Sequence, residues 1–421
     1  MFVAIKPPLI DLTLGSQTGE YCMSNDDGFY PDQFLEDENQ TESEDDLLSL
    51  ADDAIRQAVV TATDWTTETI LTQISKGNIL LNPRFQRRDA WNKKRKSKFI
   101  ESLVLGLPVP QLVLAESKDS RGKYLVLDGK QRLLSIRQFA SSCDDPAFLE
   151  LKLSGLEVRK DLNGKSLKNF QSELELYDDL AAFENQPIRT VIIKNWPNEV
   201  FLYHVFLRLN TGSVSLSPQE LRQALHPGRF VDFIDESSRE SPALRNILNN
   251  DKPDFRMRDA ELLVRFFAFS YFLNTYSGNL KSFLDTTCMT LNKQWDTEEG
   301  NIKRLLAEFE NAHTAIRSIF REDAYRKWTT NGFEKRFNRA IFDIMMFAFR
   351  WPHVREVLHT HNDKVVSIFI DLCSNKPDFL SSIEQTTKSL SSTHSRLFLW
   401  AERLNSEFGT DLHVPQLVNR S

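Results

Sequence analysis

Two rhythms of apolar and polar residues divide the chain. From about residue 66 to 194 short apolar runs stand between polar turns, whereas from Leu221 onward apolar residues recur at helical spacing almost without a break. In the first stretch Thr66-Thr-Glu-Thr opens a helix with Ile70, Leu71 and Ile74 on one face, and Gly77-Asn78 ends it. A second helix runs through Phe99, Ile100, Leu103 and Val104. Gly106-Leu-Pro-Val-Pro110 stops it, because proline cannot continue a helix and restricts the residue before it. Residues 111–115 and 124–127 then read as strands joined by a polar turn. Asp128-Gly129 breaks the second strand, and Leu133, Ile136 and Phe139 resume helical spacing. Residues 141–185 read as a connector: a loop, a short strand at 150–153, then polar helix. Residues 188–194 form a β-branched strand and 200–209 a helix, with Gly212 suited to a left-handed cap. The next helix starts at Leu216-Ser-Pro-Gln-Glu220, with Ser217 as N-cap, Pro218 at the first position and Glu220 completing a capping box.

Helices are then expected near 260–272, 279–294, 301–320, 333–350, 363–372, 378–389 and 395–407, with Phe266, Phe267, Phe269 and Phe272 in their core. The fold class that follows is α+β, an N-terminal α+β domain over 61–215 and an all-α domain over 216–421. Residues 1–60 precede both as an acidic, largely disordered arm. The arm takes 14 of the 59 acidic residues and 2 of the 52 basic ones, which leaves 45 and 50 in the body. The formal charge of −7 therefore hides a mildly basic body, which permits a nucleic-acid partner without requiring one. No stretch approaches the ~18 consecutive apolar residues of a membrane span, and the first residues lack a secretory pattern, so a cytoplasmic location is expected. Cys22, Cys143, Cys288 and Cys373 lie far apart and predict free thiols rather than a disulfide or zinc site.

The chemistry concentrates in Tyr124-Leu-Val-Leu-Asp-Gly-Lys-Gln-Arg132. A strand that turns at Asp128-Gly129 into a helix presents the helix's first N–H groups and its positive dipole end, a seat for phosphate. Lys130 and Arg132 add two cations within a turn, and Arg132 can grip two oxygens at once. An ordinary strand-turn-helix with solvated charges fits the same residues equally well. Between Arg84 and Lys98 stand eight basic residues and one acid, with Phe85 and Trp91 interleaved. Arg84, Arg87, Arg88, Lys93, Lys94 and Arg95 could neutralise DNA phosphates, or simply face water. Arg208, Asn210 and Thr211 cluster near a helix start and suit either a second phosphate contact or a plain capped turn.

These motifs together resemble the N-terminal domain family of GmrSD-type, modification-dependent restriction endonucleases, within the ParB/sulfiredoxin-like superfamily. The resemblance is carried by Phe85-Gln86-Arg87 with Trp91, Ile100-Glu-Ser-Leu103 with Gly106-Leu-Pro-Val-Pro110, and Asp128-Gly-Lys-Gln-Arg132. Arg208-Leu-Asn-Thr-Gly212, Leu216-Ser-Pro-Gln-Glu220-Leu-Arg222 and Phe255-Arg-Met-Arg-Asp259 with Glu261 and Arg265 extend it to about residue 270. The family's usual Asp-Gly-Gln-Gln-Arg is altered here, with Lys130 in place of the first Gln. The resemblance implies a nucleotide- and DNA-responsive module that binds or hydrolyses nucleoside triphosphate at this turn, with a divalent metal as a candidate cofactor. Asp128, Gln131 and Arg132 would be catalytic. Gly129, Lys130, Arg132, Arg87, Gln86, Arg208 and Asn210 would hold phosphates. No protein metal site is expected. The histidine-based nuclease domain of full-length members is not recognisable, since the cluster His359-Thr-His361-Asn362-Asp363 lacks paired metal-ligand spacing. The cutting half is therefore either absent or supplied by a separate nuclease partner. The alternative readings are a non-catalytic sensor of DNA or nucleotide, or a scaffold whose turn is only structural.

Overall fold

The computed structural model describes residues 58–79, 81, 90–118, 120–145, 148–209, 217–385 and 387–417. The acidic arm, apart from its last residues, and the candidates Arg84, Gln86, Arg87, Arg88 and Asn210 lie outside them. The described chain opens with β1 (Val59–Thr66) and α1 (Thr67–Ser75), followed by α2 (Lys93–Val104), β2 (Leu112–Glu116), β3 (Tyr124–Asp128) and α3 (Lys130–Phe139). Next come α4 (Leu167–Ser172), α5 (Tyr177–Asn185), β4 (Pro187–Lys194) and α6 (Glu199–Leu209). The sheet order is β1-β4-β2-β3, antiparallel at its two outer pairings and parallel between β2 and β4.

The sheet is mixed because β2 and β4 are separated by helices while β2 and β3 are joined by a short turn. Central β2 is buried on both faces, as an uninterrupted apolar run requires. Leu112 and Leu114 pack with Ile70, Ile100 and Leu133, while Val113 and Ala115 pack with Phe206 and Leu221 on the other face. The predicted periodicity of α3 holds, since Leu133, Ile136 and Phe139 are all fully buried. One reading in this region needs correction, and one element was not foreseen. Residues 150–153 carry no regular secondary structure and join no sheet among the described residues; Leu151 N donates to the Gln138 carbonyl and Leu153 N to that of Lys165. Before Thr66 stands an edge strand, β1, which exposes Val59 and Val60 and so lacks the buried face that periodicity detects.

The remainder is helical: α7 (Pro218–Leu225), α8 (Arg229–Glu240), α9 (Pro242–Leu248), α10 (Arg258–Tyr271), α11 (Leu280–Lys293) and α12 (Trp295–Phe320). A hairpin, β5 (Arg326–Thr329) and β6 (Gly332–Phe337), interrupts the helices, so the helix expected near 333–350 is a strand over its first residues and begins only at Arg339. After it follow α13 (Arg339–Phe349), α14 (Pro352–His359), α15 (Asn362–Asn375), α16 (Pro377–Glu384) and α17 (Leu390–Phe408). One aromatic-rich core extends from Phe230 to Leu412 and includes Phe266, Phe267 and Phe269, with Phe272 partly buried against it. The charged residues of α10 do not face water, as an amphipathic reading would have them. Glu261 is bonded by Arg339, and Arg265 donates to Asp343 at 2.6 Å, all within the core.

Candidate functional site

The turn 128–132 is built by backbone constraint. Gly129 sits at φ +99, in the left-handed region, and a Cβ there would lie 2.4 Å from Leu112 Cδ2. Only glycine satisfies both conditions. Gly129 is the N-cap of α3 and supplies no side-chain cap.

The turn's two cations go separate ways. Arg132 folds back on its own strand: Nη2 donates to Asp128 Oδ2 at 2.7 Å and to the Gln111 carbonyl at 2.9 Å. Its Nε is buried without a hydrogen-bond partner. Lys130 is buried and donates from Nζ to Glu220 on α7. Glu220 has a second task, because its Oε2 accepts the Ser217 N–H at 2.8 Å while Ser217 Oγ accepts the Glu220 N–H at 3.1 Å. The predicted capping box therefore exists, and its carboxylate also neutralises the turn. Gln131 is buried in the first turn of α3.

Beside Lys130 lies a cavity of about 320 Å³. Edge strand β3 contributes Leu125 and Val126, the end of α1 and the segment after it contribute Ile74 and Ile79, and α7–α8 contribute Glu220, Gln223 and Val231. It is an apolar pocket with a few polar groups at one wall, the usual character of a small-molecule site. Helix α7 is tied into the helical core as well. Arg222 Nε and Lys281 Nζ donate to the two oxygens of Asp285 at 2.7 and 2.6 Å. Burial alone would raise the Asp285 carboxyl, but Arg222 and Lys281 outweigh it and hold the group below its ordinary range.

The basic stretch is divided among several tasks. Asn92 caps α2 by accepting the Arg95 N–H at 2.8 Å. Lys93 and Arg95 are exposed, with the Arg95 guanidinium 4.8 Å from the Trp91 ring centroid, whereas Lys94 lays its methylenes against Gly155. Lys96 is buried and donates to Gln138 Oε1 at 2.7 Å; burial lowers its ammonium to about 8. Arg208 is exposed at the end of α6. The structure therefore brings Asp128 and Arg132 together and sets Lys130 against Glu220. Of the turn's residues Lys130 alone lines the cavity; Asp128, Gln131 and Arg132 do not, nor do Lys93, Lys94, Arg95 and Arg208. Among the described residues no group of three His, Cys, Asp or Glu side chains could hold a metal, and no helix is long and apolar enough to cross a membrane. His361 Nδ1 lies against the Val357 carbonyl at the join of α14 and α15.

Sequence reasoning missed Glu220 as counter-ion and Gln223 as cavity lining. The available signal was their spacing, since residues three apart share a face of α7. Residues 67–227 match the family model of the GmrSD restriction endonuclease, N-terminal domain. No curated protein and no solved structure matches the chain.

Proposed function

Because residues 67–227 are a GmrSD-type N-terminal domain, we propose that the protein is a nucleotide- and DNA-responsive component of a restriction or defence-type system. It binds nucleoside triphosphate at the 128–132 turn and hydrolyses it. The observation that carries this reading is the cavity opening directly beside Lys130, the one residue of the turn that lines it, with aliphatic walls for an organic moiety and an ammonium that a phosphate would have to share with Glu220. Arg132 retains a buried Nε without an acceptor, so an incoming phosphate oxygen would complete its hydrogen bonding. Arg132 then stabilises charge developing on the phosphoryl group. Asp128 orients the attacking water and Gln131 positions it. A magnesium ion carried in by the triphosphate would need only one or two protein carboxylates; Asp128 would then hold it instead of orienting water, and the ion would supply charge neutralisation for the phosphates. DNA contacts come from Lys93 and Arg95, from Lys94, and from Arg84, Arg87 and Arg88, outside the described residues.

A second reading is favoured by the internal neutralisation of both cations, Lys130 by Glu220 and Arg132 by Asp128. In that case the turn senses nucleotide without turnover and signals to a separate nuclease. The two are separated by measuring triphosphate hydrolysis by the full chain, with and without DNA, beside Arg132→Ala and Asp128→Asn. A hydrolase loses about 10²-fold or more in both variants. No turnover in the unaltered protein, with nucleotide binding lost only in Arg132→Ala, makes it a sensor. No nucleotide binding at all ends both readings.

A further inference from the structure

Gln223 is 5% exposed, and neither its Nε2 nor its Oε1 has a hydrogen-bond partner. Buried amides are otherwise almost always paired, so two unmet atoms on one side chain require an explanation. Gln223 lines the cavity, one turn along α7 from Glu220, so the Lys130–Glu220 pair and the free amide stand on the same wall. The walls around it are flat-sided aliphatic groups, Ile74, Ile79, Leu125 and Val231. An amide offers a donor and an acceptor side by side, in one plane. The edges of nucleobases carry the complementary pair, as in the bidentate grip of Gln on adenine.

We propose that Gln223 is the specificity-determining residue of this cavity, reading the hydrogen-bonding edge of a nucleobase held between its aliphatic walls. The inference rests on the nucleotide reading above and deepens it. Rotation of the amide exchanges its donor and acceptor, so Gln223 accepts any base with an adjacent pair and rejects ligands that lack the ring. A site built to hydrogen-bond its ligand discriminates strongly against analogues without the matching groups, because its buried polar atoms then stay unpaired.

The test is calorimetric titration of the full chain with ATP, GTP, CTP, UTP and inorganic tripolyphosphate, for the unaltered protein and Gln223→Met. The expected result is nucleotide binding at least about 10-fold tighter than tripolyphosphate, with that advantage abolished by Gln223→Met and tripolyphosphate affinity unchanged. The melting temperature of ligand-free Gln223→Met should be equal or higher, because the substitution removes two unpaired buried atoms of similar volume. Nucleotide affinity unaffected by Gln223→Met overturns the inference while leaving the nucleotide reading intact. Equal loss for nucleotides and tripolyphosphate also overturns it, since the amide would then only shape the site. Failure of the unaltered protein to bind any of the five ligands removes both. Should Gln223→Met fold poorly, Gln223→Asn withdraws the amide by one methylene and keeps its polarity; nucleotide binding as tight as in the unaltered protein would again overturn the proposal.

Discussion

Gly129 has no room for a side chain, and its replacement isolates the cost of the turn from its chemistry. An alanine there must hold φ near +99 and push its Cβ to 2.4 Å from Leu112 Cδ2, in a side chain that is itself fully buried. A left-handed conformation costs an L-residue about 1–2 kcal/mol, before the displacement of Leu112 is counted. Gly129→Ala should therefore lower stability by at least about 2 kcal/mol in denaturant unfolding. An unchanged midpoint would mean that the backbone relaxes and the turn is not fixed. The need for glycine at 129 was legible in the Asp-Gly dipeptide. The destinations of Lys130 and Arg132 were not, because Glu220 lies 90 residues along the chain and Gln111 enters through its carbonyl. A sequence shows that a cation is present, but the counter-ion that satisfies it is a product of tertiary packing.

At the scale of elements, the Lys130–Glu220 pair joins the first turn of α3 to the first turn of α7. Both side chains are almost wholly buried, so removing one partner takes the counter-ion from a desolvated charge. Glu220→Gln should cost about 3–5 kcal/mol, although an amide oxygen can still cap Ser217. Lys130→Met should cost less, since the carboxylate keeps the Ser217 N–H, and the double substitution should recover most of the loss. Denaturation of the four proteins forms a double-mutant cycle, and strictly additive losses would refute a coupled pair. Helix α7 was readable because its start signals are local: Ser217, Pro218 and Glu220 within four positions. The hairpin β5–β6 was equally local in Asn331-Gly332, with Gly332 at φ +108, but its strands are only four and six residues long and stand among helices. Strand β1 escaped for the opposite reason. Its partner β4 is more than 120 residues away, and an exposed edge leaves no apolar stripe to read.

Across the whole molecule, ions are buried to an extent that composition did not announce. Glu261 and Arg339, and Arg265, Asp343 and Arg396, lie inside the helical core. Burial would raise the Glu261 carboxyl, but Arg339 and Arg265 outweigh it and hold the group below its ordinary value. A carboxylate of that kind stabilises the fold above its unfolded pKa and ceases to do so as pH falls through the lower folded value. His313 acts earlier on the acid side. It lies between Tyr325 Oη, 2.9 Å from Nδ1, and Asn246 Oδ1, 3.1 Å from Nε2, and burial lowers its imidazole to about 4 from 6.5. The unfolded chain binds that proton from about pH 6.5 downward, whereas the folded protein refuses it until about pH 4. Stability should therefore be full above pH 6.5 and fall by about 3 kcal/mol between pH 6.5 and 4, before the carboxylates contribute. Denaturant midpoints measured across that interval, for the unaltered protein and for His313→Gln, check the assignment. The glutamine can retain a donor and an acceptor but cannot titrate, so its curve should be flatter by that amount. Parallel curves would mean that the imidazole takes up its proton as readily in the folded core as in the unfolded chain, so that burial does not depress it.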